Sequence, residues 1–271
     1  MIHANHSPLA LSAVVGSSVA ETLSQLNRLA AYSSRLFYSP LLIRQPDGAD
    51  THIPRYFYHS SLSLEYSQCI ALVGGLSQTD NRGSRILVDF LGQQVLCESL
   101  SSDYDYIVYP TCRPDLLPSY QQSRSASRYA GKEASLSEPD INSIEKVLQR
   151  DIRYLGFAGI VIIEEGQQRD QVIALVDGLN TNEPFLIGQA LPGQLHDSYR
   201  QPKCRVSIRS ESSKQRHGFL PNKADLGQTP FVVRLQLPIN WSEMEASVLV
   251  GDLLRTWFFN YRSQIAYGIH L

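Results

Sequence analysis

The sequence predicts an α/β protein built on a mixed, mainly parallel sheet with helices on both faces. Strand-like and helix-like segments alternate along the chain, the order that places crossover helices over a parallel sheet. One segment, Phe157-Ala-Gly-Ile-Val-Ile-Ile163, is short, apolar throughout and rich in β-branched residues, as expected of a central strand covered on both faces. A third observation locates the working edge of that sheet. In Cys69-Ile-Ala-Leu-Val-Gly-Gly75 an apolar run ends in paired glycines, and polar residues then lead into a helix-like segment from Ser84 to Leu91. That pattern is a buried strand turning sharply into a helix, and open α/β sheets carry their chemistry just beyond the carboxyl end of such a strand.

At 271 residues the chain fits one undivided α/β domain, 1–271, with 1–17 expected to be a flexible N-terminal segment. Hydrophobic residues make up 43% of it, enough for a substantial core, and charged residues only 18%. A formal charge of −2 and the lack of a long basic run argue against nucleic-acid binding, which needs clustered Lys and Arg. Cys69, Cys97, Cys112 and Cys204 show no C-x-x-C spacing; Cys69 and Cys112 sit in strand-like or strand-end segments, where a buried free thiol is expected, and the compartment is expected to be reducing, the cytoplasm. The apolar stretch Pro8 to Gly16 lacks the basic leader of a signal peptide, the first basic side chain other than His being Arg28. No apolar run approaches the ~20 residues that span a bilayer, so no membrane association is expected.

The elements follow in order. Ser18-Val-Ala-Glu21 has capping-box spacing and opens a helix with Val19, Leu23, Leu26, Ala30 and Phe37 near one face. Gln45-Pro-Asp-Gly-Ala-Asp50 contains a turn signal. Arg55 to His59 and Leu62 to Val73 are strand-like. Pro118 to Ser135, rich in Ser, Gln and Arg, is expected to be a long loop or lid. Ser137-Glu-Pro-Asp140 starts a helix, with Pro in the first turn and Ile141, Ile144, Leu148 and Ile152 at helical spacing. Gln171 to Asp177 and Cys204 to Ile208 are weaker strands, and Phe231-Val-Val-Arg-Leu-Gln-Leu-Pro238 is a strand closed by Pro. Ser242-Glu-Met-Glu245 caps a last helix carrying Met244, Val248, Leu249, Leu253 and Trp257.

Several of these segments resemble the zinc carboxypeptidase (M14) family, including its succinylglutamate desuccinylase and aspartoacylase branch. That family carries Gly-Gly-Ile-His-Gly-Asp-Glu-Pro-x-Gly at a strand end, where the His and Glu bind zinc. Here the stretch runs Gly74-Gly75-Leu76-Ser77-Gln78-Thr79-Asp80-Asn81-Arg82-Gly83, with Ser77 at the His position and Asp80 at the Glu position. The family's Pro-x-x-Asn-Pro-Asp-Gly is similar to Pro110-Thr-Cys-Arg-Pro-Asp-Leu116, with Arg113 in place of Asn. Its Ser-Glu-Pro-Glu helix start is similar to Ser137-Glu-Pro-Asp140. The next family strand ends in Asp-Leu-His, whose His is the third ligand. On Ile160-Val-Ile-Ile-Glu-Glu-Gly166 that His position falls on Ile163 or Glu164. Leu235-Gln-Leu-Pro238 resembles the strand that holds the general-base Glu, with Gln236 at its position. The family's Asp-Leu-Asn-Arg carboxylate-binding motif has no clear counterpart, and Arg124 or Arg128 of the long loop would have to serve.

The resemblance implies an M14-like architecture over roughly residues 40 to 262, with an altered site. Catalytic zinc wants three good protein ligands and an open position for water. Ser77 is a poor ligand, Ile163 cannot ligate, and Gln236 has no basic site with which to take a proton from water. The expectation is a zinc-free protein, without catalytic residues, whose pocket binds a small acyl-amino-acid or peptide ligand. The pocket candidates are Ser77, Asp80, Arg113, Arg128, Glu164 and Gln236. Plainer roles stand beside these. Ser77 and Asp80 are ordinary helix N-terminal residues, Gln236 an ordinary strand residue facing a polar neighbour, and Glu164-Glu165 a solvated strand end rather than a carboxylate dyad.

Three alternatives remain from the sequence. Zinc would return if Asp80, Glu164 and a histidine from a distant loop rebuilt its site; His3 and His6, although a metal-like pair, lie in the N-terminal segment. Gly75-Leu-Ser-Gln-Thr79 partly matches a nucleophile elbow, with Ser77 as nucleophile and His196, His217 or His270 as base. Finally, fourteen Tyr and the aromatic tail Trp257-Phe-Phe-Asn-Tyr261 would suit an interaction protein, unless that tail is the inward face of the last helix.

Overall fold

In the computed structural model, residues 19–44, 50–60, 69–74, 82–97, 104–111, 150–151, 154–166, 172–177, 204–208 and 231–268 are described. Helix α1 (Val19–Tyr32) leads into short strands β1 (Leu36–Tyr38), β2 (Leu41–Arg44), β3 (Asp50–Ile53) and β4 (Tyr56–Tyr58). Then come β5 (Cys69–Val73), α2 (Arg82–Leu96), β6 (Asp105–Tyr109), β7 (Gly159–Glu165) and β8 (Val172–Asp177). The chain continues through β9 (Cys204–Ile208), β10 (Phe231–Leu237) and α3 (Glu243–Gly268).

Among the described residues an eight-stranded sheet runs in the order β1-β4-β6-β5-β7-β10-β8-β9, and β2 and β3 form a separate antiparallel pair. Its centre, β6-β5-β7-β10, is parallel; β4 joins β6, and β8 joins β10, in antiparallel fashion. This is the mixed, mainly parallel sheet that the sequence predicts. The central strands are apolar on both sides because both sides are covered. Val161, Ile163, Val233 and Leu235 belong to a core that includes Leu26 of α1, Leu87 and Leu91 of α2, and Trp257 of α3. Ile160, Ile162 and Val232 face the other way, with Leu41, Ile53, Tyr109 and Phe157. On that second face the helical residue Asp151 accepts a hydrogen bond from the Tyr109 hydroxyl at 2.8 Å.

Aromatic packing fixes α3 to the sheet. Phe231 stands 5.7 Å from Trp257 and 5.0 Å from Tyr261, ring centre to ring centre, while Phe258 lies 5.6 Å from Tyr106 and 5.5 Å from Tyr104. Such pairs add about 0.5–1.5 kcal/mol each beyond the area they bury. The Phe231 ring has room because its partner across β7 is Gly159, where a Cβ would come within 2.0 Å of the ring. Trp257, Phe258 and Tyr261 are therefore the inward face of the last helix, while Phe259 is exposed.

Three sequence-based expectations change. Phe37 is not on the first helix, which ends at Tyr32; it lies in β1 and is half exposed. Met244 and Val248 do not carry the buried stripe of α3. At 100° per residue the inward stripe is Ala246, Val250, Leu253 and Trp257, which turns Met244 and Val248 to the opposite arc, where both are exposed. Strands β1, β2 and β3 are too short to show periodicity and were not anticipated. Ser18 of the first capping box, the 118–135 tract and the start of the helix at Ser137 lie outside the described residues. The last box forms: the Glu245 amide donates to Ser242 Oγ at 3.2 Å and the Ser242 amide to Glu245 Oε2 at 2.9 Å.

Candidate functional site

Strand order points to the site before any side chain does. From β5 the chain crosses through α2 to β6 on one side, and β7 then pairs with β5 on the other. The carboxyl ends of β5 and β7 therefore flank a topological switch point, where α/β sheets bind ligands. The packing at this point is backbone on backbone. A Cβ on Gly74, just past β5, would lie 2.8 Å from the carbonyl carbon of Gly83; a Cβ on Gly83 would lie 2.3 Å from the carbonyl oxygen of Ile163. The glycines of the strand-to-helix turn let α2 approach the ends of β5 and β7 this closely. Gly74 also donates its amide to Tyr109 O at 2.9 Å, and Gly166 donates to Leu237 O at 2.8 Å, so the four parallel strands end as a tied set.

Two expected site residues meet at that edge. Gln236 and Glu164 are partners in the parallel register of β10 and β7, and the Gln236 amide donates to Glu164 Oε1 at 3.1 Å. Arg234, two residues earlier and on the same face, brings its guanidinium to 3.5 Å from Glu164 Oε2. Both oxygens of Glu164 are thus engaged, one by an amide and one by a cation. Ile163 is 0% exposed and faces the helices, so of the two positions left open by the sequence only Glu164 lies on the second face of the sheet. Glu165 points the opposite way, with the Arg82 guanidinium 3.8 Å from it. Glu164 and Glu165 do not form a carboxylate dyad; each has its own arginine. Arg82, in the first turn of α2, also donates to Pro238 O at 2.8 Å and Ile239 O at 2.9 Å, tying the helix start to the end of β10. Ser77, Asp80, Arg113, Arg124 and Arg128 lie outside the described residues. Among those described, no three His, Cys, Asp or Glu side chains lie close enough to hold a metal ion.

Sequence reasoning passed over Arg234 and Arg82. Arg234 had a signal: a single charge inside the apolar strand Phe231 to Leu237, where an unpaired cation is rarely buried. It also passed over a buried cluster next to the site. Arg55 donates to Asp151 Oδ2 at 2.5 Å, to Ser39 O at 3.1 Å and to Ser39 Oγ at 3.0 Å, while Tyr109 shares the same Asp151 oxygen. Nothing in sequence spacing joins residues 55, 109 and 151.

Comparison with solved structures agrees with this architecture. The chain is similar to a metallo-carboxypeptidase from Burkholderia cenocepacia, with a TM-score of 0.57 at 10% identity, covering 90% of this chain and 68% of that one. It is similar to a metallo-carboxypeptidase from Pseudomonas aeruginosa in complex with (2-guanidinoethylmercapto)succinic acid, with a TM-score of 0.58 at 13% identity, covering 88% and 68%. Thrombin activatable fibrinolysis inhibitor gives a TM-score of 0.55 at 11% identity, covering 90% and 74%. No family model matches the chain, and no curated protein matches it. At these identities the likeness establishes the fold: a metallo-carboxypeptidase-like α/β architecture.

Proposed function

We propose that this protein is a degenerate, zinc-free variant of the carboxypeptidase or desuccinylase architecture. Its role is to bind a small acyl-amino-acid or peptide ligand beyond the carboxyl ends of β5, β7 and β10, rather than to hydrolyse one. The observation that carries this reading is the pairing of Gln236 with Glu164. Gln236 stands where the resemblance expects the general base, and an amide cannot accept the proton of an attacking water at neutral pH. Glu164 stands at one of the two positions expected for a metal ligand. Support for the zinc-free reading comes from Glu164, whose carboxylate is held by an amide and faces a guanidinium, a charge that opposes a second cation there. The neighbour from Pseudomonas aeruginosa holds a succinic acid derivative, and a small carboxylate-bearing ligand is the class this reading favours. No described helix is long and apolar enough to cross a membrane. Cys69 and Cys97 are free thiols, which is in keeping with a reducing compartment such as the cytoplasm.

The test is metal content of the untagged protein by mass spectrometry, after dialysis and again after zinc is added and the excess removed. The expected result is substoichiometric zinc in both samples and no hydrolysis of acyl-amino-acid or peptide substrates. Stoichiometric zinc with turnover would overturn the reading in favour of a rebuilt metal site. Labelling of Ser77 by a fluorophosphonate probe would instead make it a serine hydrolase.

A further inference from the structure

We infer that Arg234 is the anchor for a carboxylate of the ligand, an inference that rests on the zinc-free binding reading above. Arg234 is only 9% exposed, lying in a central strand between Ile162 of β7 and Leu175 of β8. A guanidinium carries five N–H donors and is costly to remove from water unless they are satisfied. Among the described residues its one charged contact is Glu164 Oε2 at 3.5 Å, well beyond the 2.7–2.9 Å of a charge-assisted hydrogen bond. Among the described residues the cation is therefore compensated in charge but not in hydrogen bonds.

The guanidinium is also not sealed in. The Arg234 side chain keeps 11% of its surface exposed in a residue that is otherwise packed. Arg55, with 14% side-chain exposure, differs in its hydrogen bonds. Arg55 uses Nε and both terminal nitrogens on Ser39 and Asp151. Arg234 instead presents a planar fork on the same sheet face as Gln236 and Glu164, three residues before the end of β10. A carboxylate seated there would accept paired N–H bonds, the geometry in which arginine outperforms lysine. Gln236 has a second amide hydrogen and a carbonyl oxygen left for the rest of the ligand. The ligand is therefore a small molecule or peptide with a carboxylate group, taken up by a loosely paired arginine whose Glu164 partner yields.

Binding of N-acetyl-L-glutamate and of its uncharged diamide to the full-length protein, followed by calorimetry, tests this. The wild type is expected to bind the acid and not the diamide. Glu164→Gln removes the competing carboxylate and is expected to tighten binding of the acid. Arg234→Gln alone strands Glu164, so the Glu164→Gln/Arg234→Gln double variant keeps the strand pair neutral; it is expected to lose about tenfold or more in affinity against Glu164→Gln, the loss typical of a charged hydrogen bond. Arg234→Lys, which keeps the charge without the fork, is expected to recover only part of it. Equal affinity for acid and diamide, no binding of the acid, or a folded double variant that binds like Glu164→Gln would each overturn the assignment. These outcomes leave metal content unchanged, whereas stoichiometric zinc would defeat the underlying reading whatever the carboxylate result.

Discussion

Gly83, near the start of α2, packs directly against the backbone of Ile163 in β7: a Cβ added to Gly83 would sit 2.3 Å from the Ile163 carbonyl oxygen and 3.6 Å from Gly74 Cα. This contact seats the helix at the switch point of the sheet. Because the obstacle is backbone, relief requires helix and strand to separate. Gly83→Ala is expected to destabilise the protein by about 1–3 kcal/mol or more, the range for overpacking a close-packed site. Glycine-to-alanine changes inside helices are otherwise favourable by up to about 1 kcal/mol, so the sign is diagnostic. A denaturant midpoint equal to or above that of the wild type would show that α2 does not approach β7 this closely.

That contact also shows how far the sequence reaches. The glycine pair after an apolar strand marks a buried strand leading into a helix, and α2 does follow β5; the closeness of their approach at Gly74 and Gly83 is visible only in the structure. Phe157 to Ile163 announces a strand covered on both faces, and it lies between β5 and β10. Local signals work where one element's periodicity or cap suffices, as at the Ser242–Glu245 box. They fail where an element is three or four residues long, as for β1 to β3, and where the meaning of a residue depends on a distant strand. Gln236 and Glu164 were candidates from the resemblance, yet only the parallel register, 72 residues apart in sequence, makes them partners. Arg234 is a lone charge in an apolar strand, yet only the register shows that its partner is Glu164.

Asp89 in α2 offers a pH-dependent check of the helix layer. Burial raises its carboxyl pKa above the ordinary 3.8, and the nearby Glu243 charge adds to this, while the Ser247 hydroxyl bond and Arg85 act against it. Below pH 3.8 folded and unfolded chains both hold the proton and the group costs nothing. As pH rises, the unfolded chain releases its proton first, so stability falls until the folded carboxyl ionises as well. Asp89→Asn removes this penalty and can still accept from Ser247, which lies at 2.8 Å. The variant's advantage is expected to be absent at low pH, to grow as pH rises and then to level off. Denaturant midpoints from about pH 3.5 to about pH 7 would measure it; a variant less stable than wild type at neutral pH would contradict the account.

The thiol of Cys69 should be inert in the folded protein. Burial, reinforced by the Asp105 carboxylate, pushes its pKa up to about 12. Only the thiolate reacts at useful rates with alkylating reagents. Peptide mapping after brief iodoacetamide treatment at about pH 8 is expected to show Cys69 unmodified in native protein and modified after unfolding. Rapid native modification would mean that the amino end of β5 opens, or that Asp105 lies elsewhere.

The cluster of Arg55, Tyr109 and Asp151 carries the largest single-residue effect expected outside the site. Asp151 is 4% exposed and accepts from both Arg55, at 2.5 Å, and the Tyr109 hydroxyl, at 2.8 Å. Removing it leaves a guanidinium with 14% side-chain exposure facing an apolar sheet surface without its counter-charge. Losing one partner of such a pair typically costs about 3–5 kcal/mol. Tyr109→Phe removes the hydroxyl bond to Asp151 while the ion pair survives, with an expected cost of about 1–3 kcal/mol. The ordering is the test: Asp151→Ala should be the more damaging, and the Arg55→Met/Asp151→Leu double variant should recover most of the loss because it leaves no stranded charge. Equilibrium unfolding of the three variants gives the comparison. Since Tyr109 ends the strand next to β5 and its carbonyl accepts the Gly74 amide at 2.9 Å, loss of this cluster should also weaken ligand binding at the strand ends. A double variant no more stable than Asp151→Ala would mean that the specific geometry, rather than the balance of charge, holds this side of the sheet.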